Sequence, residues 1–194
     1  LVSSCTGKNT VQGAARVVSL PDSNTPGDTI SGDTVPALGS SILIIYQAND
    51  GQYWFGGDTD GVYRYDGKNI ILYTTRDGLP NHTIREIKED KHGNIFISTQ
   101  HGGICKFDGQ KWTTLPVSFS DVSQNNWILH PDDLWFKGET GKKGPYRYDG
   151  KTLHYLEFPK HYMADAYYAM FPNNPWSPYD VYYIYTDKKG NIWF

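Results

Sequence analysis

The residues whose types could do chemistry gather late in the chain. Between Pro159 and Pro178 stand His161, Tyr162, Tyr167, Tyr168 and Trp176. An aromatic ring with a polar tip offers apolar contact at one end and a hydrogen bond at the other, which suits the face of a sugar or a protein partner. These five are the candidate ligand-binding residues. The competing expectation for them is packing, with the rings folding their own segment down onto the body of the protein.

Other groups carry less. Glu89-Asp90 and Asp132-Asp133 are paired acids, and glycoside cleavage needs two carboxylates across a sugar bond. Both pairs fall at strand ends, where Asp serves turn geometry. Asp58-Thr59-Asp60-Gly61 opens like a calcium loop but lacks the further ligands and the distal Glu, and so reads as a solvated turn. His82, His101 and His161 sit in loops, where acid–base work is feasible. No Ser or Cys nucleophile stands in a recognisable frame beside them. The six His show no metal-ligand spacing, and Cys5 and Cys105 make neither a disulfide framework nor a metal cluster. The expectation is a protein that is not an enzyme, with no catalytic residue, no metal and no cofactor.

The elements that must position these residues repeat. Asp-Gly pairs fall at 66, 108 and 149, steps of 42 and 41 residues. Tyr63-Arg64-Tyr65, Cys105-Lys106-Phe107 and Tyr146-Arg147-Tyr148 each lead into one of them. A period of about 40 to 45 with strand-like content is the signature of propeller blades. Aromatics make up 15% of the chain and Gly numbers 20, a composition of strands and tight turns. The predicted fold is all-β: a partial β-propeller of four-stranded antiparallel blades over 40–194. Blades occupy about 40–78, 79–121 and 122–158, an insertion 159–178, and the start of a fourth blade 179–194. Predicted strands are about 41–47, 52–56, 61–65 and 69–74, then 83–89, 94–99, 103–107 and 111–115, then 126–130, 133–137, 145–148 and 152–158. The apolar run Ile42–Tyr46 has the pattern of a strand covered on both faces. Tyr63, Cys105 and Tyr146 should face the core and the following Arg64, Lys106 and Arg147 be less buried. Cys105 therefore reads as a packed, inert thiol. Propellers close with typically 4 to 8 blades, so three and a fraction are expected to belong to a longer chain.

The extra length in the insertion is visible in the spacing. Trp54 to Phe96 is 42 and Phe96 to Trp135 is 39, but Trp135 to Trp193 is 58. Residues 162–170 have the composition of a short helix. Long insertions on a repeat scaffold map to surface loops that often carry function.

Residues 6–39, rich in Ser, Thr, Asp, Gly and Pro, read as a flexible linker or a disordered terminus. Before them, Val2-Ser3-Ser4-Cys5 resembles the lipobox of bacterial lipoproteins, which implies residues 1–5 as the end of a signal and Cys5 as the acylated residue. The alternative is an ordinary Cys in a tail. The charge of −3 is no nucleic-acid footprint, and no apolar run approaches the roughly 20 residues that span a bilayer. Membrane association is thus expected only through a lipid anchor.

Gly78-Leu79-Pro80-Asn81, Ile84 to Asp90, Gly93-Asn94-Ile95-Phe96 and Gly102-Gly103-Ile104 to Gly109 resemble the two-component regulator propeller repeat. Gly190-Asn191-Ile192-Trp193 repeats its middle. Departures are Phe96 for the usual Trp, Ser98 for the usual Gly, and a third unit without the Glu-Asp and the Gly before Trp135. The resemblance implies an extracytoplasmic location, in the periplasm or at the cell surface, and a non-catalytic sensing module. The expected partner is an unidentified ligand, an oligosaccharide among the candidates, or a protein bound by a scaffold. A carbohydrate-active lyase or hydrolase on a propeller is the enzyme alternative.

Overall fold

The computed structural model describes residues 32–119, 129–138, 144–174 and 179–194. The first blade contains β2 (Ile42–Gln47), β3 (Tyr53–Gly57), β4 (Val62–Tyr65) and β5 (Ile70–Tyr73), each antiparallel to the next. Beyond its outer edge lies β1 (Asp33–Val35), paired antiparallel with β5. The end of the stretch expected as linker is therefore built into the sheet. β6 (Ile84–Glu89), β7 (Ile95–Thr99), β8 (Gly103–Phe107) and β9 (Trp112–Thr114) make the second blade in the same order.

The third sheet differs from expectation. It runs β11 (Leu134–Phe136), β12 (Tyr146–Tyr148) and β13 (Leu153–Tyr155), with β10 (Val117–Phe119) added parallel to β13 at the outer edge. Pro116 cannot donate to a ladder, so after the Leu115 amide reaches the Ile104 carbonyl at 2.9 Å the chain leaves the second blade and joins the third. Residues 129–130 of the expected first strand are not in a strand, and 126–128 lie outside the described residues. The fourth unit begins as a hairpin of β14 (Tyr185–Thr186) and β15 (Ile192–Trp193). The expected helix is present as α1 (Ala164–Met170).

The hairpin turns come from one repeated device. Asp66, Asp108 and Asp149 each accept two backbone amides with Oδ1, at 2.7–3.0 Å. The following Gly67, Gly109 and Gly150 sit at φ 95, 94 and 92°, the left-handed region that Gly enters without penalty. Asp90 and Asp187 do the same between first and second strands. Asp187 also accepts the Trp193 indole N–H at 3.1 Å. This Asp-to-Trp bond has no counterpart at Asp90, where Phe96 replaces the Trp.

The blades are held together face to face. Trp54 and Tyr73 of the first blade meet Phe107 and Trp112 of the second, with ring centroids 5.4–6.2 Å apart across the joint. Ile87, Ile95, Ile97 and Cys105 fill the same layer. The alternate residues of the second blade, Phe96 and Ile104, turn to the third blade and pack on Phe136, Tyr146 and Tyr148. β7 is consequently buried at every position. Tyr63, Cys105 and Tyr146 are buried as predicted, whereas Arg147 is more buried than expected, its Nε 3.7 Å from Asp133.

β2 does not match the both-faces-covered pattern. Ile42, Ile44 and Tyr46 are half-buried, while Leu43 and Ile45 are 51% and 65% exposed. Ile45 has the register of Ile87, since Ile45 opposes Phe55 and Ile87 opposes Ile97. Ile87 has a neighbouring blade over it and is 6% exposed; Ile45 has none among the described residues.

Polar ties lock the same joint. The Glu89 carboxylate accepts the Asn49 amide at 2.8 Å and the Tyr46 hydroxyl at 3.3 Å. The Gly61 amide donates to the His82 carbonyl at 3.0 Å, and the Thr83 hydroxyl donates to the Asp58 carbonyl. A Cβ on Gly61 would stand 2.2 Å from the Tyr73 carbonyl oxygen of the same blade, so the entry to β4 needs Gly.

Two outcomes are expected. Ile87→Ala should cost about 2–5 kcal/mol in a denaturant titration, and Ile45→Ala no more than about 0.5 kcal/mol; equal costs would refute the one-sided burial. The carboxyls of Asp66, Asp108 and Asp149 are held below the usual range by the amides they accept, and that of Asp187 by the Asn191 side chain first and then by backbone amides. Burial alone would lift Asp149, but the Thr152 and Lys151 amides and the His154 ring outweigh it and hold it at about 2. Groups depressed on folding add stability above the ordinary carboxyl range, about pH 4, that is lost as pH falls towards the folded values. Asp132, lowered by its bond to Lys91, acts with them, and Glu86, lifted by burial, works the other way, one group against five. The melting temperature should hold above about pH 5 and fall below about pH 4, less steeply in an Asp108→Asn/Asp149→Asn double variant.

Candidate functional site

Where β6 begins and β7 ends, the second blade borders a cleft of about 260 Å³. Arg85 and Glu86 come from β6, Ser98 and Thr99 from β7, and Gln100 and His101 from the turn that follows. Lys137 and Gly138 of the third blade form another wall. Asp180, Val181 and Tyr182, between the insertion and β14, complete the lining.

Repeat arithmetic shows why space opens here. Ser98 stands opposite Glu86 as Gly56 stands opposite Ile44, so the two occupy one register. At the first joint, Gly56 lets the next blade approach so closely that an added Cβ would lie 2.8 Å from Ile84. Ser98 carries that Cβ and a hydroxyl, and the cleft lies over it. The departure from Gly noted in the repeat is the sequence signal for this site.

Glu86 sits at the cleft's inner wall. Its Oε2 accepts the Lys137 amide at 2.8 Å, and Oε1 lies 3.9 Å from the Lys88 ammonium. Burial pushes the Glu86 carboxyl up, with Lys88 and Lys137 pulling it back. Burial likewise pushes Lys88 down, against the attraction of Glu86 and with the repulsion of Lys137. Lys88 also lies 5.7 Å from the centre of the Phe136 ring. The Arg85 guanidinium donates to the Gln100 carboxamide, and the Gln100 amide is fixed to the Thr83 carbonyl at 2.9 Å. His101, held at φ 57°, is part of the lining. The arrangement presents charged and amide groups on fixed backbone, beside the 66%-exposed Tyr182 ring.

No family model and no curated protein matches the sequence. Solved structures do. The extracellular domain of the proposed hybrid two-component system BT3049 from B. thetaiotaomicron aligns at TM-score 0.52 and 18% identity, covering 78% of this chain and 20% of that one. That of BT4673 from the same organism, described as a proposed one-component system, aligns at 0.43 and 18%, covering 81% and 26%. A virginiamycin B lyase from Staphylococcus aureus, catalytically inactive and with quinupristin, aligns at 0.46 and 20%, covering 65% and 44%. The chain is a partial β-propeller. It spans about one fifth of the BT3049 domain, and at 18% identity that likeness concerns fold.

The residues singled out by sequence are dispersed. Trp176 and Cys5 lie outside the described residues. Tyr167 is half-buried, its hydroxyl accepting the Asn174 amide at 2.9 Å and its ring against Tyr168 and Phe171. These contacts lie within the insertion itself. Tyr162 is 86% exposed beside the His161 ring, and Tyr168 40% exposed. The His161 amide donates to the Tyr179 hydroxyl at 2.6 Å, pinning the start of the insertion to its end. His161, Tyr162, Tyr167 and Tyr168 are not in the lining of the cleft.

The acid pairs are accounted for by structure. Glu89 ties two blades and Asp90 makes its turn. Asp132 pairs with Lys91 at 2.7 Å, and Asp133 accepts the His130 amide and meets Arg147. Asp60 accepts the Thr59 and Tyr63 hydroxyls. His82 bonds the Thr75 hydroxyl, leaving His101 as the histidine of the three at the cleft. The Cys105 thiol is fully buried and pushed up to about 12 by desolvation, the chemistry of an inert packing group.

Tyr167→Ala should expose the insertion to proteolysis at about tenfold lower protease than wild type, the size expected for about 1.4 kcal/mol of lost local packing. Tyr162→Ala should leave the digestion pattern unchanged; sensitivity of equal size in both would refute the division.

Proposed function

We propose that this chain belongs to the ligand-sensing, non-catalytic part of an extracytoplasmic receptor of the two-component type. The observation that carries this is the cleft over Ser98, a concave polar site at the joint between two blades. Ligand sites favour concave surfaces with a few fixed polar groups. The fold shared with the BT3049 extracellular domain supports the reading. Repeat phrases of the two-component regulator propeller type support it independently. A lipid anchor at Cys5 is part of the proposal and rests on the lipobox-like Val2-Ser3-Ser4.

A ligand in the cleft would touch blade two, blade three and the 180–182 segment together. Its binding would favour one relative placement of the three, which is how a sensor converts occupancy into geometry. A protein-partner scaffold is the second reading. It is favoured by the apolar groups Tyr162, Met163, Met170 and Phe171, 49–86% exposed around α1.

An oligosaccharide panel titrated calorimetrically against the chain tests the first reading. Ser98→Trp fills the cleft and Arg85→Ala removes a rim donor; either should weaken binding by at least about tenfold. Tyr162→Ala and Tyr168→Ala should leave the affinity within about twofold. Loss confined to the two tyrosine variants would move the site to the insertion and overturn the assignment.

A further inference from the structure

The cleft's charges are unevenly spent, and this points to the chemistry of what it holds. Two ammonium groups, on Lys88 and Lys137, surround the single carboxylate of Glu86. Lys88 is the one within ion-pairing reach of it, at 3.9 Å. Glu86 reaches Lys137 through the Lys137 amide, not the ammonium. Among the described residues the Lys137 ammonium meets no carboxylate within 4.0 Å. Among the same residues Arg85 meets the neutral Gln100 carboxamide and no carboxylate within 4.0 Å. Asp180 is the other acid of the lining, so three cations, on Lys88, Lys137 and Arg85, stand around two carboxylates.

We infer that the cleft takes a saccharide bearing an acid group, seated by Lys137 and Arg85 at its rim. This rests on the reading of the cleft as the ligand site. Arg offers a planar fork and Lys a compact charge, and together they bind a carboxylate or sulfate from two sides. A ligand anion would relieve the repulsion that Lys137 exerts on Lys88. Tyr182 supplies an exposed ring for the apolar face of a sugar, and Gln100 an amide for its hydroxyls. A neutral sugar would leave the Lys137 charge unanswered; a free anion would leave the ring and amide without a partner.

The test uses uronic-acid oligosaccharides, each paired with its carboxyl-reduced neutral counterpart, together with free sulfate and glucuronate. Isothermal titration should find an acidic member that binds at least about tenfold more tightly than its reduced twin. Lys137→Gln and Arg85→Gln should each bring the affinity of the acidic member down to about that of its reduced twin. Thermal melts confirm that both variants fold. Raising the salt concentration should weaken the acidic member alone. Equal binding of acidic and reduced members, still abolished by Ser98→Trp, would overturn this inference and leave the sensing site standing. Binding of sulfate as tight as the oligosaccharide would overturn the saccharide part. Binding insensitive to Ser98→Trp, or no binding by any member, would overturn both.

Discussion

A blade of this protein cannot bury its own faces. Each is a single sheet, apolar on both sides, and a single sheet leaves one or both of those sides to water unless something lies against it. The joint between the first two blades shows the solution. Trp54 and Tyr73 are pressed against Phe107 and Trp112, with Ile and Cys side chains filling the remaining layer. Burial of this kind is worth about 25 cal/mol per Å² of apolar surface. Everything else in the structure is arranged to let such sheets approach: the tight Asp-Gly turns, the glycines where backbones cross, and the polar ties at the rim.

The same constraint produces the candidate site. Gly56 allows the closest approach at the first joint. One blade further on, Ser98 stands at the same register, and a cleft lies above it. A repeat protein can thus make a site by relaxing its packing rule at one joint and keeping it at the next. Glu86 and Lys137 show the cost of doing so, because a carboxylate drawn out of water needs an amide and an ammonium to hold it. The neighbouring joint uses Glu89 differently, as a strap between blades.

Much of the architecture was legible in the residues because its causes are local. Asp followed by Gly demands a tight turn, so the 42- and 41-residue steps located the blades. Alternation in β8 placed Cys105 in the core by comparison with Tyr63 and Tyr146. The outer strands β1 and β10 were not legible. Their pairing depends on where a neighbouring blade's edge happens to lie, and three residues carry too little pattern to say so. β2 misled for the opposite reason: a continuous apolar run states that two faces are greasy, not that both are covered. The cleft was half legible. Ser98 was visible as a departure from the repeat and His101 as a loop histidine. The arrival of residues 180–182 beside them is a long-range fact with no sequence period behind it. The aromatic cluster drew attention by composition, yet Tyr167 spends its ring and hydroxyl on holding the insertion together.

The insertion is fastened at its base. Phe158, just before it, meets the Phe194 ring at 5.4 Å, Phe194 meets Trp135 at 5.6 Å, and the His161 amide reaches the Tyr179 hydroxyl. Entry is packed on the edge of the third blade and exit is clasped to entry, so the base of the insertion is a closed collar. A collar of that kind makes the segment exchangeable: its length and composition can drift, or be replaced by a foreign peptide, without transmitting strain to the wheel that carries it.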